Sequence, residues 1–337
     1  MRTLKTAVVG CGLFGENHVK AYGEHGRAEC VAVFDLDRAR AREVAKRYGL
    51  RAAKSLEDIA TDRSIRAVSV ATPDFAHTDI VLRLLAAGKH ILVEKPLTTC
   101  TEEARRIADA ARKAKRTVMV DFHNRWNPPF VALKERIDAG ELGAPVMGYF
   151  RLSNPVSIPF GMLSWAGRSG PQWFLFPHIV DIARWLIGRQ RAVRVHAVGQ
   201  KKILKRRGCD AYDAIQATVT FEGCFVTFET CWILPKSWPN LIDFQCNLVG
   251  SKSTAQVGAT EQCLRVSGPK RYDTPGTVGL FDGHGRLGGF VAMPIWHFAD
   301  CILDGRDPIV PLEDGVAATA IIEGMVRSIE EERVIEL

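Results

Sequence analysis

The sequence predicts two unlike domains: an α/β domain on a doubly wound parallel sheet over about residues 1–123, and an α+β domain with a mainly antiparallel open sheet over 124–337. Three observations predict this. Up to about Asp121, apolar strand patterns alternate with helical ones, the order from which a parallel sheet is built. From residue 193 to about 265, short alternating runs are separated by turns, as where 215–221 turns at Glu222-Gly223, which is the antiparallel pattern. Between the two regions His123-Asn124-Arg125-Trp126-Asn127-Pro128-Pro129 is a polar, aromatic and proline-rich joint.

The first strand closes with Ala7-Val8-Val9, and Gly10-Cys11-Gly12-Leu13-Phe14-Gly15 turns the chain into a helix. Gly10 serves the tight turn, Gly12 lets a pyrophosphate approach the backbone, and Gly15 lets the helix lie close on the sheet. The helix then aims its unpaired N–H groups and positive dipole end at the phosphates. Residues 30–34 read as the next strand, ending in Asp35, where a carboxylate accepts hydrogen bonds from an adenosine ribose. The cofactor expected is NAD, with NADP disfavoured because Asp35 repels a 2′-phosphate; Arg38 offsets part of that repulsion.

The remaining elements follow in order. A helix over 41–48 stops at Gly49, and Ser55 with Asp58 opens a short helix as a capping box. A buried strand over 65–71 leads to Thr72-Pro73-Asp74-Phe75-Ala76-His77, and the next helix runs to Ala87 and stops at Gly88. The strand 90–93 delivers Glu94-Lys95-Pro96, where proline ends the ladder and holds Lys95 at the carboxyl edge. Ligands bind beyond that edge in open parallel sheets, so Gly12, Thr72 and Lys95 are expected to border one crevice. Residues 99–102 cap a helix ending near 116, and 117–121 close the sheet. In the second domain a helix over 130–139 stops at Gly140, 146–152 is a strand, and 153–172 reads as a long functional loop containing Trp165. The run from Trp173 to Asp181 enters an apolar helix ending at Gly188. Helices are expected near 295–303 and 316–329, the second packing back on the first domain.

Composition narrows the classes. A formal charge of +7 favours anionic ligands, but the densest basic run, 201–207, lacks aromatic interleaving and reads as a solvated loop, so nucleic acid is not implied. The nine cysteines form no CxxC pair, which suggests neither a zinc site nor a disulfide framework, and a reducing cytoplasm is expected. No apolar run approaches the ~20 residues of a membrane helix, and no metal is expected.

With GCGLFG, Asp35, TPDFAH, EKP, NRWNP and a His-x-x-Asp helix start in this order, the chain resembles the Gfo/Idh/MocA family of nicotinamide-dependent oxidoreductases over nearly its full length. The resemblance implies an N-terminal Rossmann domain, an open antiparallel sheet and an active site in the cleft between them. It also implies oxidation of a secondary alcohol of a sugar, cyclitol or related polyol. Lys95 matches the EKP lysine near the nicotinamide, His178 the histidine that handles the substrate proton, and Asp181 the acid three residues on. Where the family often has an acid four residues before that histidine, this chain has Phe174. Asp181 is then the nearest candidate to orient His178.

The expected cofactor contacts are Gly10, Gly12, Leu13, Phe14, Gly15, Asp35, Thr72, Pro73, His77, Glu94 and Lys95. The expected substrate contacts are Lys95, Asn124, Arg125, Trp165, Trp173, Phe174 and His178, and the catalytic residues Lys95, His178 and Asp181. In this scheme Lys95 stabilises the developing alkoxide and His178 accepts the hydroxyl proton. The competing reading is a cofactor-binding sensor that kept the fold and lost turnover. The partners expected are a small-molecule substrate and further copies of the chain, as a homodimer or homotetramer through the C-terminal sheet, with no membrane partner.

Overall fold

In the computed structural model the first apolar runs pair as β1 (Leu4–Val9), β2 (Ala28–Phe34), β3 (Arg51–Ala52), β4 (Ala67–Val70), β5 (His90–Val93) and β6 (Val118–Val120). They form one sheet in the order β3-β2-β1-β4-β5-β6, parallel throughout. Residues of β1, β4, β5 and β6 are almost all buried, as they must be in a sheet with helices on both faces. Residues described are 3–258, 260, 264–269, 272–274, 276–284 and 286–337; Cys263 and Gly285 lie outside them.

Winding reverses between β1 and β4, so the loops leaving these neighbours diverge and leave a crevice at the carboxyl edge. At that point Gly10 has φ of 94°, its N–H bonds to Phe34 O at 2.8 Å, and a Cβ there would meet Ala71 O at 2.4 Å. A Cβ on Gly15 would lie 1.8 Å from Gly10 O, so helix α1 (Leu13–Glu24) can start where it does only with glycine. Around Gly12 a Cβ would meet nothing within 4 Å.

The helices of this unit are capped much as expected. Asp37 accepts N–H bonds from Ala39 and Arg40 at the start of α2 (Arg38–Tyr48), and Gly49 ends it at φ of 67°. Ser55 accepts from Asp58 N at 3.1 Å to open α3 (Leu56–Ala60). α4 spans His77–Ala86 and α5 spans Thr101–Ala114. The last departs from expectation: its N-cap is Cys100, which makes no side-chain bond, and Thr98 instead donates to Glu103 in the first turn at 2.8 Å.

Two compact units result, 1–123 with 280–317 and 124–279 with 318–337. The expected second domain, 124–337, is therefore interrupted. The helix Met293–Asp304 belongs to the first unit, where Trp296 donates to Ala21 O at 2.8 Å and Asp304 pairs with Arg27 at 2.7 Å. The helix expected over 316–329 is divided between the two units. The helix Leu312–Glu330 gives only its first turns to that unit, where a Cβ on Gly315 would come 2.6 Å from Val120. From Ala318 onward it belongs to the second unit, where Ser328 accepts from Ala197 N at 2.9 Å and donates to Arg333 O at 2.6 Å.

The second unit opens with α6 (Pro128–Asp138) and is built on β7 (Pro145–Ser153), β8 (Ala192–Gln200), β9 (Ala214–Phe221), β10 (Phe225–Cys231), β11 (Asp243–Gly250) and β12 (Thr254–Gly258). Their order is β12-β11-β7-β10-β9-β8, with the terminal strand Ile335–Glu336 beyond β8. Pairing is antiparallel except between β7 and β10. Period-two burial puts Ile215, Ala217, Val219 and Phe221 inward and leaves Gln216 and Thr218 outward. Against the inner face lie α7 (Pro171–Phe174) and α8 (Phe176–Leu186). The basic run 201–207 makes a short helical turn whose first N–H groups, those of Lys202, Ile203 and Leu204, all donate to Asp213.

The glycine geometry separates folding from binding. Gly15→Val is expected to destabilise the protein by about 1–3 kcal/mol through overpacking. Gly12→Ala should leave stability within about 0.5 kcal/mol while weakening dinucleotide affinity. Urea unfolding alongside cofactor titration checks both, and equal stability losses at the two positions would contradict the assignment.

Candidate active site

At the carboxyl edge of the first sheet the sequence folds so that several expected residues converge. α1 begins at Gly12 with no side-chain cap, leaving its first N–H groups directed into the crevice. Asp35 is fixed beside this loop: Cys11 N–H donates to it at 2.7 Å and Asp37 N–H at 2.8 Å. A carboxylate so held keeps lone pairs for two ribose hydroxyls. Burial, reinforced by Asp35, pushes the Cys11 thiol up to about 12 and keeps it inert. Thr72 Oγ1 is buried without a hydrogen-bond partner, an orphan that a bound ligand can satisfy. Open space at Gly12, bare N–H groups, the aimed Asp35 and the orphan hydroxyl together fit a dinucleotide.

Lys95 leaves β5 at this edge, through a cis peptide to Pro96, and is 7 % exposed. Its ammonium stands 5.9 Å from the centre of the Phe14 ring, so the EKP turn and the glycine loop meet. Burial lowers its proton affinity, against the opposing charges of Glu94, Asp74 and Asp121.

Two of the residues expected at the cofactor turn their side chains to partners within the first unit. Glu94 is turned inward, accepting from His18 Nε2 at 3.1 Å, and is 6 % exposed. His77 is fully buried, with Nδ1 2.8 Å from Pro96 O and Nε2 2.9 Å from Thr72 O, so it pins the Thr72-Pro73 turn to the EKP turn. Position beyond a strand end is visible in sequence; the direction of the side chain is set by the neighbouring strands.

Behind Lys95 lies a cluster that sequence reasoning left without a role. Tyr22 and His18 of α1 both meet Ser69 Oγ of β4 at 2.9 Å, and His18 Nε2 also lies 3.5 Å from Asp121 Oδ2. Burial pushes Glu94 up, but the His18 hydrogen bond and charge, with Lys95, bring it net below the carboxylate range. Asp121 is held well above that range by burial and by the Glu94 charge, so the pair shares a single negative charge. His123, lowered to about 4 by burial, is neutral and tilts over Phe290 at 5.8 Å. The one signal available was His18 three residues past Gly15, on the helix face that the glycine loop buries.

In the second unit His178 sits in the first turn of α8, 9 % exposed, with Nδ1 3.4 Å from Asn124 Nδ2. Asp181, expected to orient His178, pairs with Arg125. Arg125 donates to both of its oxygens, Nε to Oδ2 at 2.9 Å and a terminal nitrogen to Oδ1 at 2.5 Å, and both residues are buried. Phe174, in the place of the acid, packs against Trp165 at 6.2 Å and Trp232 at 5.7 Å between ring centres. Trp173 is buried beneath. Trp232 was not foreseen, because it follows a strand 58 residues after Phe174 and only the sheet joins them.

Such a glycine loop, ribose acid and buried edge lysine define a nicotinamide dinucleotide-dependent oxidoreductase. Comparison with known proteins agrees. The pattern of the oxidoreductase family with an NAD-binding Rossmann fold matches residues 4–122, and that of the GFO/IDH/MocA C-terminal domain matches 130–256. The chain belongs to the Gfo/Idh/MocA family and is an NAD-dependent oxidoreductase. It is 28% identical over 341 residues to inositol 2-dehydrogenase of Rhizobium meliloti (strain 1021), covering 99% of each chain. It is 27% identical over 335 residues to scyllo-inositol 2-dehydrogenase (NAD(+)) of Bacillus subtilis (strain 168), covering 94% of this chain and 93% of that one. The crystal structure of scyllo-inositol dehydrogenase from Lactobacillus casei with bound NAD(H) and scyllo-inositol has the same fold, with a TM-score of 0.84 at 17% identity over 99% of both chains. Among the described residues no helix is long and apolar enough to cross a membrane.

Asp181→Asn is expected to cost about 3–5 kcal/mol of stability by removing the negative charge from its buried pair with Arg125. Arg125→Met combined with Asp181→Leu should recover most of it. Denaturant unfolding reads this out; a stable Asp181→Asn protein that has lost turnover would restore the catalytic role.

Proposed function

We propose that the chain oxidises a secondary alcohol of a cyclitol or related polyol, or reduces the matching ketone, with Lys95 and His178 as its catalytic residues. The observation that carries this reading is Lys95 itself, buried at the strand edge against Phe14 of the cofactor loop. The inositol dehydrogenases among the relatives support the substrate class and favour turnover over the sensor.

NAD, when bound, supplies the hydride acceptor or donor. Gly10, Gly12 and Gly15 shape its loop, Asp35 takes the ribose hydroxyls, and Thr72 Oγ1 offers a further polar contact. The chain's own work is to hold the substrate oxygen and handle its proton. A lysine removed from water acts on a developing alkoxide more strongly than one in solvent. Trp165 and Phe174 suit a substrate that turns a C–H face, without a hydroxyl, toward the position of the missing acid.

Assembly is proposed through the outer face of the second sheet, as a homodimer or homotetramer. Met147 and Phe225 stand in register there, 40% and 43% exposed, a pairing that a second copy can cover. A reducing cytoplasm suits the eight described cysteines, all free.

Lys95→Met and His178→Ala are each expected to lower kcat by about 100-fold or more while leaving NAD affinity nearly unchanged. The double variant should lose less than the product of the two, because both act on one transition state. Steady-state kinetics on inositols and other polyols, with calorimetric NAD titration, tests this. Wild-type turnover in both single variants would refute it.

A further inference from the structure

We propose that a basic pocket at the amino-terminal edge of the first sheet, lined by Arg63, Arg66, Arg83, Lys89, His90 and Arg116, binds a small anion carrying two or more phosphoryl groups. All six residues belong to the first unit. The pocket lies at the opposite end of the strands from the cofactor crevice, so the proposal stands apart from the dehydrogenase reading.

The strands bring the charges together. Arg66 and Lys89 immediately precede β4 and β5, Arg116 stands two residues before β6, and the three strands are neighbours in the sheet. Ala67 pairs with His90 and Ile91 with Val118. Carrying this register back toward the amino ends sets Arg66 beside Lys89 and Lys89 beside Arg116. His90 N–H donates to Arg66 O at 3.0 Å and Ile91 N–H to Thr117 O at 2.9 Å, so the backbone pairing reaches this edge. Neighbouring strands lie about 4.8 Å apart, and like charges side by side are destabilising unless something negative joins them.

Little negative charge answers them. Lys89, 4% exposed, donates to Asp62 O at 2.6 Å and Ile65 O at 2.8 Å, which leaves one ammonium N–H. Arg116 Nε donates to Gly88 O at 2.6 Å. These partners are neutral carbonyls. Asp62 turns its carboxylate to Arg51 at 2.7 Å and to Ser64, and among the described residues neither Arg63 nor Arg66 has a side-chain ion pair. The single acid lining the pocket is Glu57, 3.7 Å from Arg83. The carboxyl ends of α3 and α4 add at most about half a negative charge each, so the five lysine and arginine side chains remain in excess.

His90 completes the donor set. Its Nδ1 accepts from Thr117 N–H at 3.1 Å, so the ring proton lies on Nε2. Burial, with the charges of Arg116 and Arg66, pushes this ring down to about 4, so it is a neutral donor at physiological pH. The cavity, about 920 Å³, is bounded by α3, the end of α4 and the strand starts, a size that suits a small ligand. A concave pocket differs from the basic stripe of a nucleic-acid surface. Guanidinium groups bind phosphoryl oxygens bidentately, and a row of cations spaced by neighbouring strands matches linked phosphoryl groups better than a single one.

Titration calorimetry of the full-length, NAD-saturated protein with inorganic pyrophosphate tests the proposal, the bound NAD keeping the glycine loop occupied. Pyrophosphate is expected to bind at one site per chain, about tenfold or more tighter than orthophosphate. Arg66→Gln combined with Arg116→Gln should weaken it by about 100-fold or more with NAD affinity unchanged. Arg191→Gln combined with Lys201→Gln, the same loss of charge in the second unit, should leave it as in wild type. No pyrophosphate binding, or an equal loss in both double variants, would overturn the proposal, as would binding of a polynucleotide without binding of pyrophosphate. In wild type, pyrophosphate should also shift the nitrogen-15 signals of His90, identified by their loss in His90→Gln. An unmoved His90 would overturn the proposal even if the first double variant fails to fold.

Discussion

A lysine buried at the carboxyl edge of a parallel sheet must either find negative charge or give up its proton, because the desolvation of an ammonium is not offset by apolar neighbours. The first unit answers this with a shared charge. Glu94, the residue before Lys95, is held ionised by His18, while Asp121 keeps its proton, so one negative charge faces one lysine. Each member comes from a different element: His18 from α1, Glu94 and Lys95 at the end of β5, Asp121 at the end of β6. The glycine loop is drawn into the same arrangement, since only Gly15 lets α1 approach closely enough for His18 to reach the strand ends. Cofactor loop and edge lysine thus depend on one piece of packing.

The second unit departs from the family's usual charge pattern. Where a carboxylate often stands four residues before the histidine, Phe174 joins Trp165 and Trp232, and the apolar cluster gives the unit a packed wall. The remaining acid, Asp181, is committed to Arg125 as a buried bidentate pair, which fixes the start of α8 relative to the joint before α6.

What was legible in the sequence was local. The glycine spacing, Asp35 at the end of β2 and Lys95 at the end of β5 are fixed by strand-to-helix turns only a few residues long, and the parallel and antiparallel regions follow from apolar period. What was hidden depended on which elements meet. Residues 280–317 return to the first unit, and Trp296 and Asp304 declare that only once α1 is beside them. Glu94 and His77 were placed at the right edge, but the inward turn of their side chains comes from His18 and from the Pro96 and Thr72 carbonyls. The reach of Asp181 to Arg125 spans 56 residues, so spacing to His178 suggested a nearer and different partner.

The most direct test of the account is the protonation of Lys95 in the NAD-free protein, read by lysine-selective carbon-13 NMR with the resonance assigned through its loss in Lys95→Met. The titration midpoint should lie below the ordinary lysine value of about 10.4. Glu94→Gln, which removes the shared charge and keeps the shape, should lower it by about one pH unit or more. A midpoint at the ordinary value, unmoved by Glu94→Gln, would show that Lys95 is neither desolvated nor paired as described and would contradict the account at its base.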